Sequence, residues 1–172
     1  RGCIIAIKHD LVEVLEYLIS IGSKVFPSDR LAAASLGSLN CLTYLHHNLE
    51  RCDWQDAMHA AKGGHLHILK FLHEQECGWD ATVCAKAASQ GHIECLKFLH
   101  EAVCLWNQNT INDAGAQGHL DCLMYAHSEG LPFTDVVLLL AAMGRHVECL
   151  NYLHEQGVPW TTQMCAYAAQ RG

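Results

Sequence analysis

Leu15, Leu42, Leu69, Leu96, Leu123 and Leu150 stand 27 residues apart without a slip, and an alanine keeps the same beat at Ala6, Ala33, Ala60, Ala87, Ala114, Ala141 and Ala168. A fixed period of this size means one short unit copied about six times, with a partial seventh at the end. A single copy is too small to bury its own apolar face, so the copies must stack and share a core over residues 1–172. An aromatic follows each leucine by two places, at Tyr17, Tyr44, Phe71, Phe98, Tyr125 and Tyr152. These registers are expected to be the buried faces, and nothing larger than alanine is expected to fit at the alanine register.

Residues 81 to 107 serve as the type copy. Thr82 is placed to cap a first helix that runs through Ala85, Ala87 and Ala88 and stops near Gly91, because a hydroxyl satisfies first-turn amides and glycine accepts the left-handed turn. Ile93, Leu96, Phe98 and Leu99 then fall at helical spacing, which predicts a second helix ending near Glu101 or Ala102. A loop of about eight residues follows. The alanine-rich first helix is thin, so the pair stacks on its neighbour at about 8 to 10 Å, and six pairs span roughly 50 to 60 Å. The fold class expected is all-α, a solenoid of stacked helix-turn-helix units.

GHIECLKFLHE at 91–101 and GHLHILKFLHE at 64–74, each preceded by Ala-Ala, resemble the second half of the ankyrin repeat. The likeness covers nearly the whole chain. Ankyrin repeats run about 33 residues and open on TPLH; these units are shorter and lack that tetrapeptide. They resemble shortened ankyrin-type repeats with a CPW-like loop, matched here by Gly78-Trp79, Pro132-Phe133 and Pro159-Trp160. The resemblance implies an ankyrin-like stack with its hairpin finger shortened or absent, and a non-catalytic scaffold for protein-protein interaction. The alternative is a spacer or assembly module within a larger multidomain protein or complex.

Composition narrows the partners. Net charge is -7, with only 11 Lys and Arg spread along the chain, which argues against a nucleic-acid partner. The most apolar run, Val136 to Met143, is far too short to cross a bilayer, so no membrane partner is expected. Cys41, Cys95, Cys122 and Cys149 share a register with Val14 and Ile68, and Cys3, Cys84 and Cys165 share one with Ile111 and Leu138. They read as small hydrophobes, which points to reduced cysteines and an intracellular, cytoplasmic location. The chain opens without methionine and stops midway through a unit, so it is expected to be a fragment of a longer chain, with self-association through uncapped ends as a further expectation.

Histidine is the odd count, 13 in all. One ladder is His65, His92, His119 and His146; another is His46, His73, His100, His127 and His154. Successive rings on a ladder stand one repeat apart, whereas ligands of one zinc must each sit about 2 Å from it. His92 with Cys95, and its counterparts, supply two ligands where a structural site needs four. No metal or other cofactor is therefore expected. The first ladder resembles the ankyrin histidine strut that bonds backbone across repeats; the second is expected to be half-buried and hydrogen-bonded between units. His73-Glu74, His100-Glu101 and His154-Glu155 begin like HExxH but lack its second histidine, and no nucleophile elbow, phosphate loop or dinucleotide fingerprint occurs. No catalytic residue is assigned, and the segment is not expected to be an enzyme.

Registers that vary carry each unit's identity, and the first helix supplies most of them. One reads His59, Lys86, Asp113, Leu140, Tyr167; another Asp56, Val83, Thr110, Val137, Met164; a third Lys62, Ser89, Ala116, Met143, Gln170. All three turn from polar to apolar along the array. Lys86, Asp113, Val137, Leu140, Met143, Met164 and Tyr167 are the candidate partner-binding residues on what, in ankyrin-like stacks, is the concave face. Trp79, Trp106, Phe133 and Trp160 form a loop ladder expected to cover the ends of the helix pairs.

Overall fold

The computed structural model describes residues 2–49 and 53–160, and among them are twelve helices and no strand. The helices fall into six antiparallel pairs: α1 (Gly2–Lys8) with α2 (Val12–Ser20), α3 (Pro27–Leu36) with α4 (Leu39–Asn48), α5 (Trp54–Gly63) with α6 (Leu66–Glu74), α7 (Ala81–Ser89) with α8 (Ile93–Glu101), α9 (Gln108–Gln117) with α10 (Leu120–Ser128), and α11 (Asp135–Gly144) with α12 (Val147–Glu155). Odd-numbered helices pack on odd, even on even, and each pair on itself. This is an all-α solenoid in two rows. Its core runs the length of the stack: Leu15, Leu42, Leu69, Leu96 and Leu123 are fully buried, as are Ala33, Ala60, Ala87, Ala114 and Ala141.

The odd row is packed much more closely than the even row. Alanine accounts for this, because Ala33, Ala34, Ala60, Ala61, Ala87 and Ala88 let consecutive odd helices approach without a side chain between them. Unequal spacing of two joined rows bends a stack toward the tighter row. The odd helices therefore line the inner side of the curve.

Helices α5, α7 and α9 start on side-chain caps, and on α7 the cap stands two places earlier than the expected Thr82. Asp53, Asp80 and Asn107 accept hydrogen bonds from the amides of Gln55 (2.8 Å), Thr82 (2.9 Å) and Asn109 (2.9 Å). A carboxylate or amide oxygen at this position satisfies first-turn N–H groups well. Thr82 lies within the first turn, and its hydroxyl donates to the Asp80 carboxylate.

The turn between paired helices is held by the first histidine ladder. Nε2 of His65, His92, His119 and His146 sits 2.9, 3.2, 3.2 and 3.0 Å from the carbonyl oxygens of Ser35, Lys62, Ser89 and Ala116, each one unit back. A carbonyl only accepts, so each ring carries its proton on Nε2. The ring also lies on the preceding unit's turn: a Cβ at Gly37, Gly64 or Gly91 would meet the His65, His92 or His119 ring at 2.6, 2.6 or 2.5 Å. Gly91 itself has φ +73, so conformation favours glycine there and the close approach of the His119 ring requires it. At the second turn Ser38 stands in for histidine, its hydroxyl donating to Ile7 O at 2.5 Å.

The links between units are six residues in 75–80, 102–107 and 129–134, shorter than the expected eight. With no strand among the described residues, no hairpin finger projects. The link aromatics instead stack on the second histidine ladder: His73 on Trp79, His100 on Trp106 and His127 on Phe133, at 5.0, 4.0 and 3.8 Å between ring centres. Each stack meets the next unit's Phe98, Tyr125 or Tyr152 edge-on. Those aromatics are accordingly half-buried, while Tyr17 is exposed. Across units on this ladder His100 Nδ1 and the Tyr125 hydroxyl lie 3.1 Å apart; the His127 ring bonds Leu131 O within its own unit, and His154 accepts from Trp160 Nε1. Stacking therefore accompanies the expected inter-unit bonds at His100 and takes their place at His127.

Cys3, Cys41, Cys84, Cys95, Cys104, Cys122 and Cys149 are buried free thiols. Burial pushes Cys41 and Cys122 up to about 12 and Cys95 up to about 11, so they remain protonated small apolar groups. Cys77 departs from the expectation of reduced cysteines: it is disulfide-bonded.

Candidate protein-binding face

A helix buried on one side and flanked by equals on two others leaves one narrow stripe to solvent. On α7 that stripe is Thr82 and Lys86, with Cys84, Ala87 and Ala88 turned into the core. The corresponding register is half-exposed at His59, Lys86, Asp113 and Leu140. In the Met143 register, Lys62 and Met143 are exposed, Ala116 is half-exposed and Ser89 is buried. Met164 and Tyr167 lie outside the described residues.

The register of Val137 is a correction. Asp56, Val83, Thr110 and Val137 are all 0% exposed, so this register faces the neighbouring odd helix and not a partner. Val137 fills the space left by Gly115, where a Cβ would stand 2.5 Å from Val137 Cγ2. One residue turns a helix by about 100°, and that single step separates the seam from the surface. The register one place earlier, Gln55, Thr82, Asn109 and Val136, is the one that is exposed throughout. It too passes from polar to apolar, a signal that was legible one position away.

The face has two chemical halves. Thr82 and Lys86 of α7 and Asn107, Asn109 and Asp113 of the next unit line a hollow of about 360 Å³. Asp113 and Lys86 feel one another across it: burial pushes the Asp113 carboxyl above its ordinary value, and the Lys86 ammonium opposes that rise. On α11 the same stripe is apolar, with Val136 45% and Met143 41% exposed and Leu139 and Leu140 half-buried. Such a surface offers hydrogen bonds, one charge of each sign and an apolar end. It is suited to holding a polypeptide.

Beneath the face at its other end lies a pair that sequence reasoning missed. Arg30 Nε donates to both carboxylate oxygens of Asp56, at 3.0 and 2.9 Å, with both side chains buried between α3 and α5. Asp56 also accepts from the Asp53 amide, which closes the first turn of α5. Asp56 belongs to the odd-row seam in place of the valine found at Val83 and Val137. Among the described residues no cluster of three or more histidine, cysteine, aspartate or glutamate side chains is arranged to hold a metal, and no helix is long and apolar enough to cross a membrane.

These geometric features agree with what the chain is similar to. The family model for ankyrin repeats in three copies matches residues 30–109 and again 57–172. No curated protein matches the sequence. Among 202 matching solved chains is the ankyrin repeat domain of human ASB11, at a TM-score of 0.74 and 19% identity, covering 92% of this chain and 85% of that one. At that identity the likeness speaks for the fold. From the family match over most of its length, the chain belongs to the ankyrin repeat family.

Proposed function

We propose that the array is a non-catalytic protein-protein interaction scaffold that grips its partner along the inner, odd-helix face. Ankyrin repeats are in general protein-binding modules, and one observation supports placing the contact here. The half-exposed register changes chemistry at every step, from His59 through Lys86 and Asp113 to Leu140, while the alanine and leucine registers behind it stay constant. A surface kept only for stacking has no need of such variety. Lys86 and Asp113 supply polar and charged contacts, and Leu140 and Met143 an apolar anchor of the kind that carries binding energy when it is desolvated.

The test is affinity capture with the natural chain, with Lys86→Glu, Asp113→Lys and Leu140→Asp variants, and with Glu94→Lys and Asn151→Asp variants on the exposed even-helix side, all checked for helical content. The proposal expects a partner retained by the natural chain and by the even-side variants, and lost by the inner-face variants. Retention by every inner-face variant would overturn it. Capture of the chain's own copies alone, with oligomers in sedimentation, would favour an assembly module instead.

A further inference from the structure

The links between units share one backbone shape and differ in what they carry. Their second residue is left-handed, with φ +55 at Glu76, +59 at Val103, +100 at Gly130 and +79 at Gly157. Glycine adopts such a conformation freely, whereas a β-branched residue there is an outlier. Two places on stand Gly78, Leu105, Pro132 and Pro159. Val103 and Leu105 are 82% and 78% exposed, so the core makes no use of either side chain. The turn has no need of them either, because Cys77, Cys104, Leu131 and Val158 donate the same closing backbone hydrogen bond in each link. A strained residue without a structural reason points to a contact outside the chain.

Val103 and Leu105 rim a hollow of about 220 Å³ whose other walls are His100, Cys104 and Trp106. The His100 ring is stacked on Trp106, and Tyr125 meets both edge-on, which holds those walls in place. The charge around the hollow is of one sign. A Glu129 carboxylate oxygen stands 3.9 Å from His100 Nδ1, and the exposed Glu101 immediately precedes the link. Burial, Glu129 and Glu101 together push the Tyr125 hydroxyl above its ordinary value, so both carboxylates act at this wall. The preceding link adds the exposed Glu74, Glu76 and Asp80. No lysine or arginine occurs between Lys97 and Arg145, and the Lys97 ammonium is bonded to Glu94 on α8. We propose that this link is a docking point for a basic peptide segment of a partner protein, with a large apolar side chain seated in the hollow and lysine or arginine set against Glu101 and Glu129. Charge complementarity selects that occupant, since an acidic segment or an anionic lipid surface would meet like charge here. None of these residues belongs to the inner odd-helix face, so the docking point stands or falls separately from the function proposed above.

The probe is a random dodecapeptide library displayed on phage, depleted on a Val103→Gly plus Leu105→Pro variant and then selected on the immobilised natural chain. That variant carries the residue types of the following link, and its helical content is checked by circular dichroism. Enriched peptides are synthesised and titrated by fluorescence anisotropy. The expected sequences pair a large apolar residue with flanking lysine or arginine, and they should bind the variant about tenfold more weakly or worse. Glu101→Gln plus Glu129→Gln should also weaken binding and flatten its dependence on salt. No enrichment after depletion, enriched sequences without basic residues, or unchanged affinity in either double variant would overturn the proposal. So would an oligomer of the natural chain that the Val103→Gly plus Leu105→Pro variant abolishes, or binding of the natural chain and not the variant to phosphatidylserine vesicles. If the variant does not fold, Leu105→Gly, the residue type of the preceding link, takes its place in the same depletion and titration.

Discussion

Thr110 occupies a seam position where the neighbouring units carry Val83 and Val137, and its hydroxyl is buried without a hydrogen-bond partner. A buried unsatisfied hydroxyl costs about 1 to 3 kcal/mol, while the methyl that would replace it has the same shape. Thr110→Val should therefore stabilise the array by about 1 kcal/mol, read as a shift of the urea midpoint at unchanged slope. Asp113 has the opposite relation to water. Because burial raises its folded-state value, the folded chain binds a proton there more readily than the unfolded chain does. Stability is then lost as pH rises from the ordinary carboxylate range through that raised value, and the loss persists at neutral pH. Asp113→Asn should melt higher than the natural chain at pH 7, and the difference should vanish below the ordinary aspartate range; a gain that grows toward acid would contradict this.

Between helices, the Arg30–Asp56 pair and the histidine struts do the joining that apolar seams do elsewhere. Removing one partner of a buried ion pair costs about 3 to 5 kcal/mol, since the other charge remains in the interior. Asp56→Ala should lose stability of that order in urea titration, whereas Arg30→Ile with Asp56→Val, the residue types at positions 111 and 83, should recover most of it. At the turn after α7, Gly91→Ala must both hold φ +73 and displace the His119 ring from Ser89 O. The non-glycine Arg145 adopts φ +62 at the matching turn of α11, so φ alone is tolerable and the ring is the stricter constraint. Gly91→Ala combined with His119→Ala should accordingly cost less than the sum of the two single changes, as a double-mutant cycle would show. The pairing of helices and the strut were legible because alanine, leucine and Gly-His recur at one period. The caps were misplaced because Asp80 and Thr82 are both good first-turn residues, and only the backbone's extended turn at 80 chooses between them. The ion pair was hidden because it interrupts two registers, each once, in two adjacent units.

For the whole molecule, the repeat makes the fold easy to read and the binding face harder. Position 87 or 96 is the same in every unit, so its burial follows from period alone. Whether position 82 or 83 faces outward depends on about 100° of helix rotation, and both registers pass from polar to apolar. Val137 was misassigned for that reason, while Lys86, Asp113 and Leu140 are half-exposed and Met143 is exposed. Tight packing of the odd row against looser packing of the even row turns this stripe into the inside of a curve, where several units can touch one partner together. Photo-crosslinking with benzoylphenylalanine placed singly at Asn109, Val136, Glu94 and Asn151 in the full chain tests that claim most directly. Covalent capture of a partner from positions 109 and 136, and not from 94 and 151, is the predicted result. Capture from 94 or 151 alone, or from no position, would contradict it.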